Sequence, residues 1–424
     1  MDRPEPNSDV RRYTAYINPF GITQIHLKNP YVIACWSLFF PGAGHILLCK
    51  YFRGYLLFVW EIYVNLHAHI NLAILYSLTG RFQMAKDVID IKWVLFYIPT
   101  YFFAIWDSYR STIELNNQYI LASREDAEVK MFNIGLFEIN YGDKRVPWHS
   151  AMWSALMPGL GDILNSRLPA GVFVVITFIV IGTQSNLLSA IHYTFLGQFD
   201  SAKSIINPQW FLNIPSIYLY AINSAYMKTV YFNKLFDWEQ SKFLKKNYEH
   251  KNYKMPVGAM DGSGEGMYIV STFDHSNYLE LAITAIQMKG IAKENILGVS
   301  MDKRGEDVQM FDTIHSADGL SMLDLPILLA TLFCLVGSIY GFILTWGPII
   351  WGVIGMIAGF SLGLAIKLIT IRKYDNRQKK TKATEVVLII ECKENQLEMV
   401  HDLLWKHHAL GVRKLSLNNN EQLN

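Results

Sequence analysis

Charge is scarce in this chain of 424 residues. Asp, Glu, Lys and Arg make up 17% of it, against about 25% in a soluble domain. The deficit falls in blocks, the pattern expected of membrane spans separated by polar loops. Cysteine is scarce too. Cys35, Cys49, Cys334 and Cys392 form no CxxC and no metal-ligand spacing, and three lie in apolar runs. Neither a disulfide framework nor a metal site is expected. There is no GxGxxG, Walker or nucleophile-elbow pattern. No cofactor and no catalytic residue is therefore expected, and an enzyme is the least favoured class. The opening stretch, MDRPEPNSDVRR, has no apolar h-region, so insertion is expected to begin with an internal span. A net charge of +2 gives no reason to expect a nucleic-acid partner.

What the chain does have is one stretch carried twice. Trp36–Gly54 reads WSLFFPGAGHILLCKYFRG and Trp153–Gly171 reads WSALMPGLGDILNSRLPAG. The offset of 117 holds without a gap from Ala34/Ala151 to Trp93/Trp210, with 19 identities in 60 positions. These include the turns Pro41-Gly42-x-Gly44 and Pro158-Gly159-x-Gly161, and the loops Gly80-x-Phe82-x-x-Ala85-Lys86 and Gly197-x-Phe199-x-x-Ala202-Lys203. A fixed period with matched turns indicates an internal tandem repeat. Tyr31–Phe40 gives only about 15 Å of helix, half a bilayer core, before proline stops it. It is expected to be a broken or re-entrant segment. Tyr55–Leu78 and Val172–Leu196 are expected to be full-length spans, with Trp93–Trp106 and Trp210–Ala225 completing each copy. If the Pro-Gly segments turn back, the copies lie the same way up; if they cross, the copies are inverted. The positive-inside rule favours the first, with the N-tail and everything after 226 cytoplasmic.

The expected fold class is an α-helical polytopic membrane protein with this repeat, plus an α+β ferredoxin-like soluble domain split by a transmembrane hairpin. The expected divisions are a polar N-tail (1–30), repeat one (31–121), a charged linker (122–147) and repeat two (148–237). A charged helix and glycine-rich hinge follow (238–266). The first βαβ half and a juxtamembrane segment occupy 267–323, the hairpin 324–370, and a basic segment with the second βαβ half 371–424. The strands expected are 267–273, 296–301, 385–391 and 412–417, with helices at 277–289 and 396–408. The hairpin is expected to turn at Thr345–Pro348.

Three groups of residues are candidate sites. Glu61, Asn65, His67, His69 and Asn71 lie inside an apolar run. On an unbroken helix Glu61, Asn65 and His69 share one face, and His67 and Asn71 another. Ionisable groups in lipid usually face a bundle interior or a wet cavity. The bland reading is a hydrogen-bond network or the wet end of a span; the sharp ones are a proton or ion path and, less favoured, a metal site on the His/Glu face. Repeat two has neither the carboxylate nor the histidines at these positions. His45 and Asp162 are equivalent positions after each Pro-Gly-x-Gly, and two-fold packing of the repeats would bring them together. A plain structural turn at Pro41, Gly42, Gly44 and Pro158, Gly159, Gly161 is the alternative. Gly355, Gly359 and Gly363 form a small-residue face, which could serve packing within the hairpin or homo-oligomerisation equally. His275, His315, His401, His407 and His408 are expected to be surface histidines.

The Pro-Gly-x-Gly turn with a following basic residue and glycine (Pro41–Gly54) resembles the small two-span TM2 domain family. The stretch 267–370, βαβ followed by a glycine-rich hairpin, is similar to bacterial general-stress membrane domains. The whole arrangement resembles multispan membrane proteins of endospore-forming Gram-positive bacteria, which implies a bacterial plasma membrane and a setting in stress or sporulation. None of these resemblances supplies catalytic residues. The expected function is non-enzymatic: a scaffold, regulatory or sensing component joining the membrane module to the ferredoxin-like domain. Its partners would be the bilayer and a protein or small ligand at that domain. The alternative is a channel or secondary transporter using Glu61, His67 and His69.

Overall fold

The computed structural model describes residues 11–18, 20–136, 138–249, 267–301, 314–315, 320–321, 323–372 and 386–416. The glycine-rich hinge and the basic run from Lys373 to Lys382 lie outside them. The chain is mostly helical and divides into two compact units. One comprises 1–141, 145–231 and 308–378; the other comprises 142–144, 232–307 and 379–424.

The first unit opens with a hairpin, β1 (Ala15–Asn18) and β2 (Gly21–Gln24), in what the sequence suggested was a polar tail. Then come α1 (Pro30–Phe39), α2 (Ala43–Leu47), α3 (Tyr51–Ala68), α4 (Ile70–Leu78), α5 (Phe82–Val88) and α6 (Ile91–Glu125). A second hairpin, β3 (Phe132–Ile134) and β4 (Ile139–Tyr141), precedes α7 (Pro147–Leu156), α8 (Leu160–Leu164), α9 (Leu168–Gln184), α10 (Leu187–Phe195), α11 (Phe199–Ile205), α12 (Pro208–Phe211) and α13 (Ile214–Asn247). The left-handed backbone positions recur at the 117-residue offset: Gly42 and Gly159, Cys49 and Ser166, His69 and Asn186, Gly80 and Gly197 all have positive φ. At Gly42 and Gly159 only glycine fits. A Cβ on Gly42 would fall on the Gly54 carbonyl, and one on Gly159 on the Gly171 carbonyl. These contacts let the α1–α2 and α7–α8 turns lie against the start of the next helix.

The expected straight spans 55–78 and 172–196 are each broken, at His69 and Asn186. The second break bends α9 against α10 by 64°. The 82–88 and 199–205 loops are short helices, and α5 meets α6 at 91°. The third segments are far longer than expected, since α6 has 35 residues and α13 has 34. The charged linker is helical only to Glu125.

The other unit contains β5 (Met267–Phe273), α14 (Asn277–Met288) and β6 (Ile296–Ser300). In sequence there follow the short pair β7 (Ile314–His315) and β8 (Leu320–Ser321), then the apolar helices α15 (Asp324–Gly341) and α16 (Gly347–Arg372), which belong to the first unit. The chain returns with β9 (Val386–Cys392), α17 (Leu397–Lys406) and β10 (Gly411–Ser416). The four long strands form an antiparallel sheet in the order β10-β5-β9-β6. Alternate residues of β9 (Val386, Leu388, Ile390, Cys392) are buried, as a sheet covered on one face requires. They share a core with Leu279, Ile283 and Ile286 of α14 and Val400 and Leu404 of α17. Leu244 of α13 joins this core, while Ile217, Tyr226 and Val230 of the same helix belong to the core of the first unit.

Among the described residues two helices, α15 and α16, are long and apolar enough to cross a membrane, and up to four spans result if each bent pair counts as one. Their glycines face each other's backbone. A Cβ on Gly355 would fall on the Phe333 carbonyl, one on Gly359 on the Leu329 carbonyl, and one on Gly363 against Pro326. The small-residue face is thus occupied within the hairpin, which turns at 342–346.

Candidate functional site: buried polar groups of the helical unit

Glu61 and Asn65 lie one turn apart on the buried face of α3. The Asn65 amide donates to Glu61 Oε1 at 3.3 Å and to Asn71 Oδ1 at 3.2 Å. The Tyr97 hydroxyl of α6 donates to Glu61 Oε1 at 3.2 Å. Gln209 of α12 ties this group to the second copy. Its Nε2 donates at 2.8 Å to the Asn65 carbonyl and Oδ1, and its Oε1 accepts the Leu72 N–H at 2.9 Å. The Leu72 donor is exposed by the break at His69, since the first N–H groups of a new helix have no partner within it. The network satisfies the broken helix ends.

The break also corrects the expected helical faces. His69 takes the left-handed conformation and is exposed, and His67 is exposed with its Nδ1 against the Tyr63 carbonyl at 2.8 Å. Neither joins Glu61 and Asn65, whereas Asn71 does. An i,i+4 pattern holds only along an unbroken helix.

His45 and Asp162 do not meet. Each is fully buried and paired within its own copy. His45 Nε2 lies 3.0 Å from Asp107 Oδ2, which also accepts from Arg53 at 2.6 Å; Arg110 reaches Oδ1 at 3.3 Å. Asp162 binds Arg167 at 2.6 Å, and Arg167 also donates to the Tyr51 hydroxyl of the first copy at 2.7 Å. Asp107 sits within α6 and is 1% exposed.

Close to Arg167 lies a group the sequence did not single out. Lys28 and Lys228 are both buried, and both ammonium groups donate to the Leu47 carbonyl, Lys228 at 3.0 Å. Lys228 Nζ is also 3.5 Å from Cys49 Sγ. Burial pushes the Cys49 thiol up, but Lys228, Lys28 and Arg167 outweigh it and bring it down to about 6. Burial, then repulsion from Lys228, holds the Lys28 ammonium well below its ordinary value. A lysine in the apolar run SAYMKTVYF was the available signal for Lys228.

In the α+β unit His275 is 5% exposed and is not a surface histidine. Gln240 Oε1 accepts from its Nδ1 at 3.0 Å and from the Ser276 N–H at 3.0 Å, while Gln240 Nε2 donates to the Ser276 carbonyl and Glu280. That arrangement fixes the proton on Nδ1 and leaves Nε2 to accept from Ser241 or Ser300, each 3.3 Å away. Among the described residues no group of three or more His, Cys, Asp or Glu could hold a metal ion.

No protein-family model matches the chain, and neither a curated protein nor a solved structure is significantly similar to it.

Proposed function

We propose that this chain is a bacterial plasma-membrane protein that couples a duplicated membrane module to a cytoplasmic regulatory or sensing domain of ferredoxin-like topology. The strand order, with the fourth strand beside the first and the third between first and second, supports the ferredoxin-like assignment. The observation that carries the coupling is α13, in which the boundary between the units falls. Its first half supplies core residues to the helical unit and its end supplies Leu244 to the other core. A change that shifts one core therefore acts on a helix that the other core also holds. From fold to role the step is one of analogy.

Hydrogen exchange on the full chain in nanodiscs tests this. Leu244→Ala removes a fully buried side chain, and such changes cost about 2–5 kcal/mol. The expectation is faster exchange across 214–231 as well as in the α+β unit. Leu281→Ala, at an exposed site of α14, should leave 214–231 unchanged. If Leu244→Ala also leaves 214–231 unchanged, coupling through α13 fails.

A second reading, a channel or proton-coupled transporter, is favoured by Glu61, a buried carboxylate whose partners are an amide and a hydroxyl rather than a cation. Proton flux into proteoliposomes that disappears in Glu61→Gln would establish transport and displace the first reading.

A further inference from the structure

We propose that Ser300, with His275 as its base, is a nucleophile that takes an acyl group from an activated ester. The site grows out of the sheet. Strands β5 and β6 both run antiparallel to β9 and so are parallel to each other, and Phe273 and Ser300 pair with the same residue, Val386. Their carboxyl ends therefore lie at one edge of the sheet. His275 follows two residues after the end of β5, and Ser300 is the last residue of β6. The end of α13 is fastened to the same strand. The Gly298 N–H donates to the Tyr248 carbonyl at 3.2 Å, and Ser241 Oγ is 2.8 Å from Ser300 Oγ. All of these residues belong to the α+β unit, and the proposal does not rest on coupling through α13.

The chemistry follows from the hydrogen bonds. A serine hydroxyl is a weak nucleophile until a base takes its proton, and that base must be oriented by a third group. Here the third group is Gln240, a positioning residue. Its Nε2 is committed as a donor to the Ser276 carbonyl and Glu280, so its Oε1 accepts from Nδ1 and holds the proton there. His275 Nε2 is left as a base 3.3 Å from both serine hydroxyls, a separation such pairs show before substrate tightens them. His275 is 5% exposed, whereas Ser241 and Ser300 are half-buried. The base is thus screened from water while the nucleophile is within reach. Ser300 Oγ attacks the acyl carbon, its proton passes to Nε2, and the leaving group takes that proton as it departs. Water then cleaves the acyl-serine to a carboxylic acid and restores the hydroxyl. Ser241 holds the attacking oxygen in place. Ser276 puts no side-chain cap on the first N–H groups of α14, which are the donors the chain offers to an oxyanion. A neutral amide behind the histidine stabilises the imidazolium less than a carboxylate does, which restricts the site to esters with good leaving groups.

The full-length protein in nanodiscs is treated with a fluorophosphonate, from whose phosphorus an activated serine oxygen displaces fluoride, and the labelled peptide is identified by mass spectrometry. Acylation by p-nitrophenyl acetate is followed in parallel as a burst of nitrophenolate. The label should sit on Ser300, and label and burst should both vanish in Ser300→Ala. His275→Gln should slow the burst by about 100-fold or more. Gln240→Met and Ser241→Ala should lower its maximal rate at an unchanged half-saturating ester concentration, a split that a purely structural role does not produce. A wild-type protein that takes no label overturns the proposal whatever the variants do. So does a label that falls on Ser241 or persists in Ser300→Ala. A separate hydrogen-exchange failure in Leu244→Ala would leave this result untouched.

Discussion

Breaking the Arg167–Asp162 pair is the sharpest test of how the helical unit is held together. The two side chains are 5% and 2% exposed, and the pair is 2.6 Å long. Removal of one partner strands a charge inside the protein, and such lesions cost about 3–5 kcal/mol. Arg167→Met leaves the Asp162 carboxylate unanswered and takes the donor from the Tyr51 hydroxyl. Asp162→Asn leaves the guanidinium with Tyr51 and the two nearby lysines. Each single change should therefore lower stability by about 3–5 kcal/mol. The double change removes both charges together and should cost less than either single one. Denaturant unfolding in detergent micelles, followed by tryptophan fluorescence, gives all four corners of the cycle. Single losses below about 1 kcal/mol, the range of exposed pairs, would refute the reasoning. So would a double loss equal to the sum of the two.

Gly159→Ala should destabilise by about 2 kcal/mol or more, because φ is +100° and the new Cβ meets the Gly171 carbonyl. Gly182→Ala, in α9 with open space around it, should instead stabilise by a few tenths to about 1 kcal/mol in the same unfolding assay. Gln209→Leu orphans the Leu72 N–H and acceptors on Asn65, at roughly 1–3 kcal/mol per group, and the Leu72 amide should exchange faster. In a chain whose only cysteine is Cys49, the rate of mixed-disulfide formation with a small thiosulfonate, which releases sulfinate, should rise with pH to a plateau with its midpoint at about 6. An ordinary thiol gives a midpoint near 8.5. The folded value is depressed, so the thiolate's contribution to stability is full above the unfolded thiol's value and is lost as pH falls through about 6. A midpoint at or above 8 would show that the lysines do not hold the thiolate.

How far the sequence could be read depended on the range of the interactions involved. The strands of the α+β unit and the hairpin helices follow from local alternation and apolar length, and observed bounds such as 296–300 for β6 sit within a residue or two of the expected ones. The breaks at His69 and Asn186 were harder to see, because neither residue is glycine or proline. Histidine and asparagine tolerate the left-handed region better than most side chains, and that was the available hint. The ion clusters could not be paired by spacing at all. His45 and Asp107 are 62 residues apart, Arg167 and Tyr51 are 116 apart, and Lys228 and Cys49 are 179 apart. Each meeting depends on how α6 and α13 return across the short helices at the Pro-Gly turns, which composition does not encode.

The strand order of the α+β unit has a consequence for biosynthesis. Strands β5 and β6 do not pair with each other; both pair with β9. Between Ser300 and Val386 the ribosome must add α15 and α16, so several seconds pass at about 5–20 residues per second before β9 exists. Until then two apolar strands wait with unpaired edges. The sheet can close only after the hairpin has left the ribosome, so maturation of this domain is a timer that follows synthesis of both apolar helices. A chain whose hairpin stalls would present those edges to chaperones and proteases, making quality control of the apolar helices a property of the sheet that closes after them.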